Sequence, residues 1–168
     1  ACESALVLVD AHVGVQIETI KTWRNLEGRN RPRAVFANKM DVERASLDGT
    51  VADLKEKFKI DAVPVTIPMG EGPDYKGVID VLAGKAWPLP ASHDQKEAAA
   101  AVPAEYADAL AAARARLQEA AAEGDDELME KYLERGELGP EETVKGLREA
   151  FAANRIVPIF SGSALKGS

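Results

Sequence analysis

Two short apolar runs flanking a stretch of helical rhythm constrain this chain more than any other feature. Ala5-Leu6-Val7-Leu8-Val9-Asp10 is continuous and β-branched at Val7 and Val9, which reads as a parallel strand buried on both faces. From Val13 onward the pattern changes. Ile17, Ile20, Trp23 and Leu26 recur every three residues, which predicts a helix with one apolar face, stopped at Gly28, and makes Trp23 core rather than a binding platform. A basic turn around Pro32 leads into a second run, Ala34-Val35-Phe36-Ala37, completing a β-α-β unit. A further helix is predicted over Leu47–Phe58, with Val51, Leu54 and Phe58 inward and Ser46 or Asp48 near its cap.

Downstream the periodicity is mixed. Residues 63–69 alternate but contain Pro64 and Pro68, which cannot donate to a ladder, so they belong at a sheet edge or in irregular chain. Residues 70–77 form a turn, Val78-Ile79 and Ala86-Trp87 pair as short strands, and residues 91–102 resemble a linker. Three helical stripes follow: Tyr106, Leu110, Ala113, Leu117 and Ala120; then Leu128, Met129, Tyr132 and Leu133; then Val144, Leu147 and Phe151 after a Gly139-Pro140 start. Residues 156–160 return to strand.

A chain of 168 residues, 46% apolar, buries a real core. Its net charge of -7 is unevenly spread, because residues 91–150 carry 7 basic and 15 acidic side chains whereas residues 1–90 carry 12 and 13. Phosphate backbones are repelled by such a segment, so it suits a protein partner better than direct nucleic-acid contact. Cys2 is the only cysteine, which excludes an internal disulfide and fits a reducing cytosol. No apolar run approaches the roughly 20 residues that span a bilayer, and no membrane partner is expected.

Directly after the second strand stands Asn38-Lys39-Met40-Asp41, the Asn-Lys-x-Asp pattern that reads guanine in GTPases. Ligands of open parallel sheets bind beyond the carboxyl ends of the strands, where this tetrapeptide lies. A carboxylate at Asp41 accepts from guanine N1 and the exocyclic amine, and adenine has no donors so arranged. The Lys39 stem covers the purine face, and Asn38 braces the neighbouring loop. Ser163-Ala164-Leu165, also after a strand, matches a last guanine loop in which backbone N–H groups approach the base oxygen. No Gly-x-x-x-x-Gly-Lys-Ser/Thr occurs, so the chain offers no backbone cradle or lysine for phosphates. Asp74-Tyr75-Lys76-Gly77 spells Asp-x-x-Gly but follows the guanine tetrapeptide, the reverse of GTPase order, and reads as a turn. His12 and His93 lack companions for metal binding or base catalysis. Asp10 is placed to cap the turn after its strand, and Asp125-Asp126-Glu127 to favour a helix dipole. No catalytic or metal-binding residue is assigned.

The segments at 5–16, 38–41, 75–82, 125–133 and 156–165 together resemble elongation factor G, in order and over essentially the whole chain. About a hundred residues separate the Asn-Lys-x-Asp helix from the last strand, resembling the inserted subdomain of that group. The fold class implied is α/β: an incomplete P-loop-NTPase-type parallel sheet of three strands with flanking helices, carrying an inserted α+β subdomain. Residues 1–61 form a partial GTP-binding core, 62–154 the insert and 155–168 the return to the core. The resemblance implies GTP/GDP as ligand, with Mg2+ held in the parent protein by residues outside this piece. It further implies a cytoplasmic factor that hydrolyses GTP on the ribosome to drive translocation, with the insert meeting the ribosomal stalk protein. The piece alone is expected to be inactive in hydrolysis, to bind GTP poorly and to expose an apolar edge along residues 5–10 that favours self-association. A ribosome-splitting or ribosomal-protection paralogue, and a partner-binding module without nucleotide, are the alternatives.

Overall fold

A computed structural model of the chain describes residues 3–90 and 98–168. Cys2, His93 and most of the predicted linker lie outside the described residues. Among the described residues, seven strands and five α-helices follow in the order β1 (Ala5–Asp10), α1 (Ile17–Gly28), β2 (Arg33–Asn38), α2 (Leu47–Phe58), β3 (Ala62–Pro64), β4 (Thr66–Pro68), β5 (Gly77–Asp80), β6 (Lys85–Pro88), α3 (Ala107–Ala122), α4 (Asp126–Arg135), α5 (Pro140–Ala152) and β7 (Val157–Ser161).

β1, β2, β7 and β3, in that order, form a parallel sheet. The sequence leads to three strands here; Ala62–Pro64 is the fourth. Its proline is tolerated because β3 is the edge strand, paired only with β7. At Val65 the chain changes sheets: its N–H donates to Ile159 O at 2.9 Å and its carbonyl accepts from Val81 N at 3.0 Å. β4 then opens an antiparallel three-stranded sheet with β5 and β6.

One face of the parallel sheet is covered. Val7, Val9, Val35, Ala37 and Ile159 pack with Trp23 of α1 and Leu54 of α2, all buried. Trp23 stacks on Phe58 with ring centroids 4.3 Å apart, and the Arg33 guanidinium lies over the same indole. The predicted burial of β1 on both faces does not hold, because Leu6 and Leu8 point to the other face and are 55% and 61% exposed. Ile17 is likewise 71% exposed. The reason is arithmetic: at 3.6 residues per turn each step of three falls about 60° short, so Ile17 and Leu26 end on opposite sides of the helix.

α2 begins at Ser46, whose side chain accepts from Gly49 N–H, and ends at Lys59 in a left-handed conformation. α4 is capped by Asp125, which accepts from the N–H groups of Glu127 and Leu128. α5 starts with Pro140 at its first position. α3 and α5 close a second core around Leu117, Ala120, Ala150 and Ile156. An ion pair between Arg116 of α3 and Asp61 ties them to the parallel sheet, as do hydrogen bonds from the Asn154 side chain to Asn30.

Candidate functional site

Parallel register brings the site together. Asp10 and Asn38 are partners at the carboxyl ends of β1 and β2, and β7 runs beside β2 with Ser161 opposite Ala37. The segments leaving these three strands therefore emerge side by side, as ligand sites of open parallel sheets require.

Asn38 joins two of them. Its Oδ1 accepts from Lys39 N–H at 2.8 Å and from Ala164 N–H at 3.0 Å, across 126 positions of sequence. Backbone bonds reinforce the junction: Gly162 N–H donates to Ala37 O at 3.0 Å, and Met40 N–H to Gly162 O at 3.1 Å. Gly162 has no room for a side chain, since an added Cβ would lie 2.6 Å from Ser168 O and 2.8 Å from Phe36 Cζ.

Within the tetrapeptide, Met40 is fully buried in the core and Lys39 adopts a left-handed φ of 65°. This alternation anchors the loop through Met40 and leaves Lys39 outside it. Lys39 Nζ reaches Asp10 Oδ2 at 2.6 Å. Asp10 also accepts from the amides of His12 and Val13, through Oδ1 at 3.0 and 3.3 Å, so it caps its turn as its position predicts and holds the lysine as well. Burial pushes the Asp10 carboxyl upward, but the Lys39 ammonium and the two amides outweigh it, leaving its pKa below the ordinary 3.8. The paired lysine is missed by motif reading alone, although two strand ends in register are the signal that could have found it.

Asp41 Oδ1 is buried and has no hydrogen-bond partner among the described residues. An acceptor withdrawn from water without a donor costs free energy, and such groups in folded proteins call for an explanation. Ser163 is fully buried, with Oγ accepting from Lys166 N–H at 3.3 Å, whereas Leu165 is 81% exposed. Ala164 donates its N–H to Asn38 rather than leaving it open, so a base oxygen would have to share or displace that bond.

The remaining polar residues are elsewhere engaged. His12, with its proton on Nδ1, donates to Glu43 O at 2.6 Å. Asp74 lies in a 3-10 turn just before β5, in keeping with the turn reading of Asp74-Tyr75-Lys76-Gly77. Among the described residues no group of three or more His, Cys, Asp or Glu could hold a metal ion. What the three strand ends bring together among the described residues is therefore a buried carboxylate oxygen, an exposed lysine stem and two loops joined through Asn38.

Comparison with known proteins places these features in context. A family profile described as the elongation factor Tu GTP binding domain matches residues 1–168. The chain is 38% identical over 165 residues to an elongation factor G-like protein of Thermotoga maritima, covering 98% of this chain and 23% of that one. A crystal structure of a Thermus thermophilus protein superposes with a TM-score of 0.85 at 32% identity, covering 99% of this chain and 24% of that one. The chain thus spans about a quarter of the length of these relatives.

Proposed function

The chain belongs to the elongation factor Tu GTP-binding domain family, and from that premise we propose that it supplies the guanine-reading part of a ribosome-dependent GTPase resembling elongation factor G. Asp41 accepts from guanine N1–H and the exocyclic amine. The Lys39 stem lies along the purine face with its ammonium held by Asp10. Asn38 keeps the two loops in register, and Ser163, Ala164 and Leu165 approach the base oxygen. The observation that carries this reading is the buried, partnerless Asp41 Oδ1 beside a loop fixed by Asn38. Guanine offers the donors that this acceptor lacks.

GTP or GDP is the nucleotide, with Mg2+ and the phosphate contacts supplied by parts of the whole protein outside these residues. Hydrolysis coupled to translocation is assigned to that whole protein in the cytoplasm, and the 168 residues alone turn over no GTP. Ribosome splitting or ribosomal protection is the alternative use of the same base site. With base contacts alone to offset the cost of immobilising a nucleotide, affinity is weak.

A second reading has its own support. An open groove of about 270 Å3 between the parallel sheet and α5 is lined by Val63, Val65, Leu147, Phe151 and Phe160, among others. Its apolar lining beside acidic helices suits a protein partner, and we assign the ribosomal stalk protein to this part of the chain. On that reading the piece serves as a partner-binding module whether or not nucleotide is bound.

Calorimetric titration with GDP and with ADP, on the chain and on Asp41→Asn, tests the base site. Weak binding of GDP but not ADP, lost in the variant, is the expected result. Equal binding of both nucleotides, or none by the folded chain, would overturn it and leave the partner-binding reading.

A further inference from the structure

The turn between β4 and β5 belongs to the segment assigned to the insert, yet its polar atoms reach back to both base-reading loops. Gly72 N–H donates to Met40 O at 2.8 Å, inside the Asn38-to-Asp41 tetrapeptide. Glu71 Oε1 accepts from Leu47 N–H at 2.9 Å, at the start of the helix that follows it. The Tyr75 hydroxyl shares a 2.7 Å hydrogen bond with Ser168 Oγ. Ser168 in turn closes the second loop: Ser163 N–H donates to Ser168 O at 2.9 Å, and Ser168 N–H to Ser163 O at 3.1 Å.

The turn is itself rigidly held. Tyr75 N–H donates to Gly72 O at 3.0 Å and Lys76 N–H to Met69 O at 2.8 Å. The Tyr75 side chain is buried in the same cluster as Met40, Trp23 and Leu54, so its hydroxyl is delivered from the core and not from a mobile surface. A second tie lies close by, where Ser161 N–H donates to Thr66 Oγ1 at 2.7 Å, just ahead of the Ser163 loop.

We propose that the 70–77 turn positions the guanine site, with Gly72 and Glu71 setting the tetrapeptide loop and Tyr75 setting the Ser163 loop through Ser168. The proposal rests on the guanine reading given above. Tyr75 is a positioning residue, because it acts on Ser168 and touches no base. Its consequence is linkage: whatever shifts this turn, including a protein seated on the insert, changes base affinity, and base occupancy changes affinity for that protein by the same factor.

Tyr75→Phe keeps the ring in the core and deletes only the hydroxyl; Lys145→Ala, which removes an exposed ion pair with Asp125, is the control. Each chain is measured by amide hydrogen exchange and by GDP titration. Tyr75→Phe is expected to speed exchange at Ser163 and Ser168 and to weaken GDP binding roughly 3- to 10-fold, the scale of one lost hydrogen bond. Lys145→Ala does neither. Glu71→Ala, a second variant, is expected to speed exchange at Leu47 and weaken GDP similarly. Unchanged exchange, or faster exchange with unaltered GDP affinity in both turn variants, overturns the proposal while leaving the guanine reading intact. If the unaltered chain binds no GDP, the guanine reading fails by itself. Exchange at Ser163 and Ser168 then decides whether the turn holds that loop, and no acceleration overturns that too.

Discussion

Lys39 Nζ lies 2.6 Å from Asp10 Oδ2, joining the end of one strand to the second residue of the Asn38-to-Asp41 tetrapeptide that leaves its neighbour. The pair is not deeply buried, with Lys39 56% and Asp10 23% exposed in their side chains. Partly exposed pairs of this kind contribute about 0.2–1 kcal/mol and are screened by salt. Asp10→Asn retains an acceptor for the His12 and Val13 amides and removes the charge alone. GDP affinity in this variant should fall by roughly 1.5- to 5-fold, following from that range. The deficit should shrink at high salt, and calorimetry at two ionic strengths checks both points.

Asp10, Asp125 and Glu142 set the acid limb of stability. The pKa of Asp10 is lowered from 3.8, where burial acts upward but Lys39 and two amides outweigh it. Asp125 is lowered from 3.8 chiefly by the Leu128 amide and then Lys145, and Glu142 from 4.5 chiefly by the Gly139 amide. A folded-state pKa below the unfolded one means that the charged form favours folding. The contribution is complete above the ordinary carboxylate values and is lost as pH falls through the lowered ones. Lys131 and Lys145 are raised from 10.5, by hydrogen bonds to Glu127 and Asp125 foremost. Their contribution is present below 10.5 and is lost as pH rises through the raised values. Thermal melts followed by circular dichroism should therefore show a plateau between these limits. In Asp125→Asn, which can still cap α4, the melting temperature should fall less steeply on acidification.

Much of this was legible because local chemistry and tertiary structure agree. The β1-α1-β2 unit, the Ser46 cap and the edge placement of Pro64 each follow from a rule that acts within a few residues. The mismatches are long-range. Nothing near Val65 in sequence announces that its N–H and carbonyl serve two different sheets. Leu6 and Leu8 look like Val7 and Val9 in composition; what separates them is that α1 and α2 cover the Val7 and Val9 face, whereas α3 and α5 pack on the other face beside β3 and leave β1 open. Tyr75 sits in a tetrapeptide that reads as an idle turn, and the turn reading holds. Its hydroxyl matters only because Ser168, 93 positions away, comes to meet it.

Close approach of α3 and α5 gives a stability test remote from the site. A Cβ added at Gly146 would collide with the Ala121 carbonyl, and would lie 2.9 Å from Leu128 Cδ1. Two backbones in contact cannot yield as a flexible side chain would. Gly146→Ala should therefore destabilise by about 1–3 kcal/mol, the range for overpacking, despite the higher helix propensity of alanine. Urea unfolding gives the magnitude. GDP binding by the fraction that stays folded should be unchanged, since the Ala121 and Leu128 groups that meet this Cβ belong to α3 and α4 and not to the Asn38 or Ser163 segments.

The free edge of the parallel sheet leads to a prediction about association. Among the described strands β1 pairs with β2 alone: Ala5 N–H donates to Pro32 O and Ala11 N–H to Asn38 O, so the alternate residues Leu6 and Leu8 direct their backbone groups outward. Their side chains are more than half exposed on the uncovered face, which places apolar surface next to unpaired ladder positions. Edges of this kind template pairing with another strand unless a charge or a covering element blocks them. β1 carries no lysine or proline, and its Asp10 is committed to Lys39. The chain should therefore self-associate as its concentration rises, and Leu8→Lys, which puts a charge on the open face without touching the covered one, should return it to monomer. Sedimentation equilibrium of both proteins distinguishes the cases. An unaltered chain that stays monomeric at high concentration would show that exposed edge and apolar face together are too small to offset the entropy of association.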